Sequence, residues 1–159
     1  MKGIIINKFK HNYFTNMSEI FNLLPKEELD KNWLISDYVH TSEENKIIPY
    51  YQEYVFFNGH ELKRILNETE LQFVWGVFTS FDKRISYEEI SSHPFPLSDG
   101  NKEMWDLDIH ILHPLGDTEI IPWDASLVLM KSKNPQLIDS YRKEFPHNQD
   151  LYEYLTEEE

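Results

Sequence analysis

The sequence predicts an α+β protein, a single domain built on a mostly antiparallel sheet of five or six strands with helices packed on it. Three observations carry that prediction. Short apolar runs rich in Ile, Val and aromatic residues recur between turn signals. Stretches with apolar residues three and four apart, preceded by helix-capping residues, lie between those runs. The chain has 159 residues, 40% hydrophobic and 14% aromatic, which suits one core and leaves little room for a second. The domain is expected over residues 1–149, with an acidic C-terminal tail over 150–159.

Taken in order, residues 2–6 contain three consecutive Ile and read as a short strand buried on both faces. Phe14, Met17, Phe21 and Leu24 then recur at helical spacing, on a helix that must end before Pro25. Pro25 suits the first turn of a short helix running to Leu29, with Glu27 and Glu28 near its positive end. Residues 33–39 form the next strand, 41–46 a polar loop, and 50–57 a strand with aromatic residues on both faces. Asn58 and Glu61 resemble a cap, so a helix carrying Leu62, Ile65 and Leu66 should follow rather than a hairpin.

Residues 71–81 are the longest aromatic run and read as an interior strand, in which Gly76 marks a bulge or a close approach. Ser86 and Glu89 match a capping box that opens a short helix over about 87–91. Residues 93–101 contain two prolines, an Asp and a Gly and are turn chemistry throughout, making them a candidate exposed functional loop. Residues 106–111 alternate strictly and are expected to form a central strand, with 119–123 and 125–131 as further strands. Asn134 and Pro135 open the last helix, whose inner face is Leu137, Ile138, Tyr141 and Phe145. The final residues, ending in three Glu, are expected to fray.

Charge and composition narrow the function. The net charge is −13, divided as 0 over residues 1–40, −5 over 41–100 and −8 over 101–159. Such a surface repels phosphate backbones, so nucleic acid is not an expected partner. A basic protein partner or a divalent cation fits the sign. There is no cysteine, which removes disulfides, thiolate metal sites and cysteine nucleophiles. No apolar run approaches the roughly 18 residues a membrane span needs, and the N-terminal apolar run stops after three residues. A cytoplasmic protein with no membrane partner is expected. Phosphate-cradling loops, the nucleophile-elbow pattern and the H-E-x-x-H pattern are all missing, so no complete catalytic signature is present.

Two constellations stand out. On a strand over 106–111, Asp106, Asp108 and His110 would share one face at about 6.5 to 7 Å spacing, a ligand set suited to a divalent metal in a hydrolase. A looser set is His93, His110 and His113 with Asp117 and Asp124, and Asp106 with Asp124 could form an acid–base pair. The competing reading uses aromatics. Trp105, Trp123, Tyr50, Tyr51 and Tyr54, rimmed by acids, would form a protein-binding surface on which rings anchor and charges steer. A protein-binding module is the leading reading and the metal-dependent hydrolase the alternative. Oligomeric state is left open.

Lys2-Gly-Ile-Ile-Ile6, Asn32-Trp33 entering a strand, Phe57-Asn-Gly-His-Glu-Leu62, Ser86-Tyr-Glu-Glu89 and Tyr152-Glu-Tyr-Leu-Thr156 together resemble an uncharacterised family of small acidic bacterial proteins, known as a domain of unknown function. The resemblance spans nearly the whole chain and implies a bacterial, cytoplasmic, single-domain protein. It implies no site. In size, charge and lack of cysteine the chain is also similar to immunity proteins of bacterial toxin systems.

Overall fold

The structure is a computed structural model and describes residues 1–9, 15–50, 52–69 and 71–157. Its centre is a seven-stranded sheet, one or two strands more than expected. The strands are β1 (Lys2–Ile6), β2 (Asn32–His40), β3 (Tyr54–Asn58), β4 (Phe73–Phe81), β5 (Thr118–Trp123), β6 (Leu127–Ser132) and β7 (Gln149–Asp150). Their order is β3-β2-β4-β5-β6-β1-β7, and each neighbouring pair among the described residues is antiparallel.

Both faces of the sheet are covered, which explains why the strands read as continuous apolar runs. On one face lie α1 (Met17–Asn22), α3 (Gly59–Glu68) and α5 (Pro135–Glu144). Their Met17, Phe21, Leu62, Ile65, Ile138 and Tyr141 pack on Ile4, Trp33, Ile35, Phe78 and Met130 of the sheet. Phe14, expected on the same stripe as Met17, lies outside the described residues. The other face is closed by α4 (Tyr87–Ser91), a 3₁₀ turn (Glu103–Trp105), the irregular chain that follows it, and α6 (Leu151–Glu157).

The capping chemistry behaves as the sequence suggests. Ser86 and Glu89 form a complete capping box, and Asn134 accepts from the Gln136 amide with Pro135 at the helix start. Asn58 accepts from the His60 amide and opens α3. Gly59 is there for close approach, since a Cβ on it would stand 2.5 Å from the Leu29 carbonyl oxygen at the end of α2 (Lys26–Leu29). Gly76 faces a bulge in β2, where the register slips between Ser36 and Val39 and Asp37 takes a φ of 47°.

Three expectations need correction. Residues 106–111 are not a strand; the alternation there comes from a segment folded over the sheet, with Ile111 buried beneath it and Leu107 43% exposed. The strand expected over 50–57 begins only at Tyr54, because Tyr50 belongs to a preceding turn and Tyr51 lies outside the described residues. Beyond Asp150 the chain is helical rather than frayed to Glu157. Leu151 is fully buried there, and β7 pairs with β1 just before it.

Candidate functional site: an aromatic cluster with an acidic rim

The site is built on the sheet face opposite α1, α3 and α5. Trp123 ends β5, Trp75 lies on β4, Trp105 closes the 3₁₀ turn, and Tyr154 comes from α6. The Trp75 and Trp123 rings meet edge to face at 4.6 Å, Trp105 and Trp123 do so at 5.1 Å, and Tyr154 lies 6.1 Å from Trp105. All four rings are partly exposed. Each of the three outer rings has an exposed carboxylate beside it in the chain: Asp106 after Trp105, Asp124 after Trp123, and Glu153 before Tyr154.

Beneath the segment 106–112 the sheet holds two charges. Glu119 on β5 and Lys131 on β6 are cross-strand partners whose side chains are 0% and 1% exposed. The Glu119 Oε1 is 3.4 Å from Lys131 Nζ, an ionic contact without hydrogen-bond geometry. Its Oε2 accepts from the Leu112 amide at 2.8 Å, and Lys131 Nζ donates to the His110 carbonyl at 3.3 Å. The pair therefore pins both ends of the turn from His110 to Leu112 onto the sheet. Burial pushes the Glu119 carboxyl up and the Lys131 ammonium down from their ordinary values, outweighing their mutual attraction. Desolvation commonly exceeds the Coulombic gain in such pairs, so this one fixes the covering segment in place more than it adds stability.

The expected sites divide accordingly. Trp105 and Trp123 are brought together. Tyr50 and Tyr54 are not part of that cluster: β2 and β4 separate β3 from β5, Tyr50 packs near His40 at 6.0 Å, and Tyr54 packs on Phe95 at 4.9 Å. The geometry supposed for Asp106, Asp108 and His110 is lost with the strand. The two Asp are exposed, and His110 Nδ1 instead donates to the Asp108 carbonyl at 2.7 Å. Among the described residues no three His, Asp or Glu side chains gather in a metal-holding group.

Of the looser histidine set, His93 and His113 lie together with ring centroids 5.3 Å apart, and His113 and Asp117 are held by other partners. His113 is fully buried, donates from Nε2 to the Ile90 carbonyl at 2.9 Å and accepts the Leu115 amide at Nδ1. Burial lowers its pKa, with His93 nearby acting in the same direction. Asp117 pairs with Lys31 at 3.1 Å, which also holds the buried Glu28 at 3.0 Å. The loop 93–101 is pinned too, because Ser36 donates to the Pro96 carbonyl at 2.8 Å and the Ser98 amide to the Asp37 carboxylate at 2.7 Å.

Sequence reasoning missed Trp75, Tyr154, Glu119 and Lys131. A signal for the last two existed: folding the runs 119–123 and 127–131 about the turn at Asp124 sets Glu119 opposite Lys131. No helix among the described residues is long and apolar enough to cross a membrane. No family model, no curated protein and no solved structure matches the chain.

Proposed function

We propose that this chain is a non-enzymatic protein-binding module of the bacterial cytoplasm, an immunity-type inhibitor whose acid-rimmed aromatic face takes a basic partner. One observation carries the reading: rings from four separate elements, Trp75, Trp105, Trp123 and Tyr154, converge half-exposed on one face. Half-buried Trp and Tyr are the side chains that anchor protein interfaces, since each offers a large rigid surface at small entropic cost. Asp106, Asp124 and Glu153 around them, on a chain of net charge −13, would speed encounter with a cationic surface. The rigid seating of the 106–112 segment by Glu119 and Lys131 preorganises the face, which lowers the ordering cost of binding.

The test is capture on the immobilised chain at low and at high salt. The reading expects a basic protein retained at low salt and released at high salt, with retention lost in Trp123→Ala. Failure to retain any basic protein at low salt contradicts it, as does retention that Trp123→Ala leaves unchanged.

A further inference from the structure

The open edge of the sheet at β3 carries chemistry that the tryptophan face does not use. In the β2–β3 ladder the Asp37 amide donates to the Glu53 carbonyl and the Gly59 amide to the Lys31 carbonyl. Hydrogen-bonded pairs alternate along an antiparallel ladder, so residues 55 and 57 also point their backbone groups at β2. Tyr54 and Phe56 therefore turn their N–H and C=O groups outward, with no strand beyond them among the described residues.

Edges of this kind are usually blunted by charge, proline or a bulge. Tyr54–Asn58 has none of these, and its pairing with β2 is unbroken from Tyr54 to Asn58. A shallow, open hollow of about 470 Å³ runs along it, lined by residues 52–57. On one face of the edge stand Tyr54, Phe56 and Tyr87, the last 40% exposed; the Tyr54 and Tyr87 hydroxyls are hydrogen-bonded, and the Phe56 and Tyr87 rings lie 5.6 Å apart. At the start of the edge a second cavity of about 330 Å³ is lined by both Asp37 and Glu53, and no basic side chain lines either hollow. The Glu53 carboxylate is exposed and makes no ion pair among the described residues.

We infer that β3 takes an extended segment of a partner protein as an eighth strand, and that this segment alternates apolar residues with lysine or arginine. The outward N–H and C=O groups of Tyr54 and Phe56 supply the ladder. The apolar side chains of the segment lie on Tyr54, Phe56 and Tyr87, and a cation at its end meets Glu53 beside Asp37. The hollow is acidic and aromatic, as such a segment requires.

The probe is the capped hexapeptide Lys-Val-Lys-Val-Lys-Val, and the readout is amide hydrogen exchange of the full chain. Exchange at Tyr54 and Phe56 is expected to slow by more than about tenfold at saturating peptide, while Val55 and Phe57, already bonded to β2, change little. Phe56→Pro removes an outward donor together with the ring beside Tyr87, and should abolish the effect with the fold intact by circular dichroism. Glu53→Lys should weaken it. A Glu-Val hexapeptide, or the Lys-Val peptide N-methylated on every amide, should give no protection.

Three results overturn the inference: binding that leaves Tyr54 and Phe56 unprotected, equal protection by the acidic peptide, or protection that rises with protein concentration without peptide, which assigns the edge to a second copy. The outcome is separable from the tryptophan face, since Trp123→Ala should leave protection at β3 unchanged.

Discussion

Glu119 and Lys131 face each other across β5 and β6, sealed from solvent, and each reaches with its second contact to the same covering turn, at Leu112 and at His110. Removing one partner leaves the other charge buried and unpaired. Lys131→Met should therefore destabilise the fold by about 3 to 5 kcal/mol in urea unfolding. Adding Glu119→Gln removes the stranded charge while keeping an acceptor for the Leu112 amide, so the double variant should recover much of the loss. A double variant no more stable than Lys131→Met would show that the pair acts through something other than charge.

Gly59 allows α2 and α3 to touch. Its missing Cβ would meet three backbone atoms of Leu29 within 2.9 Å, and backbone cannot move aside as a side chain tip can. Gly59→Ala should cost about 1 to 3 kcal/mol, as overpacking typically does, although alanine is the better helix former. Chemical denaturation measures it, and a neutral or stabilising result contradicts the close approach.

The turn between β5 and β6 offers the opposite change. Asp124 and Ala125 have φ of 48° and 50°, as the central residues of a primed hairpin turn require. Alanine pays steric strain there that glycine does not. Ala125→Gly should raise stability by about 0.5 to 1 kcal/mol, the strain relief exceeding the added freedom of the unfolded chain, and thermal unfolding should show it.

How far the sequence discloses this molecule depends on where the decisive interaction lies. Caps are local, and Ser86 with Glu89, Asn58 and Asn134 are legible within a few residues of the helices they open. The alternation over 106–111 is equally local but misleads. Asp106 and Asp108 are exposed, while the segment from His110 to Leu112 is held down by Lys131 and Glu119 with Ile111 buried, so tertiary contacts override the period-two pattern. The tail misleads in the same way: its Glu residues suggest fraying, yet Leu151 fills the space above Gly3, where a Cβ would stand 2.8 Å from the Leu151 methyl. Trp105 and Trp123 were legible as candidates from their acidic neighbours. Trp75 joins them only through sheet order, and Tyr154 only through the packing of α6, neither of which a local pattern records.

His113 makes stability depend on pH. Its folded pKa is lowered by burial, so below the ordinary value near 6.5 the unfolded chain binds a proton that the folded chain resists. The stability this neutral ring contributes is present above pH 6.5 and is lost as pH falls from there toward the lowered folded value. His113→Gln should flatten the loss of stability between pH 7 and 5.5 in parallel urea titrations. An unchanged slope would place the proton elsewhere.

The most direct measurement is the indole N–H region of the NMR spectrum as the chain is titrated with the basic protein it retains at low salt. The chain has four tryptophans, and one is an internal control: Trp33 is fully buried and donates to the Glu28 carbonyl. Binding at the aromatic face should move the Trp105 and Trp123 signals, leave Trp33 in place, and fade as salt is raised. Titration with the Trp123→Ala chain should then need a higher partner concentration by at least about thirtyfold, the 2 kcal/mol of an interface anchor. Indole signals that stay fixed while the partner binds would contradict the account.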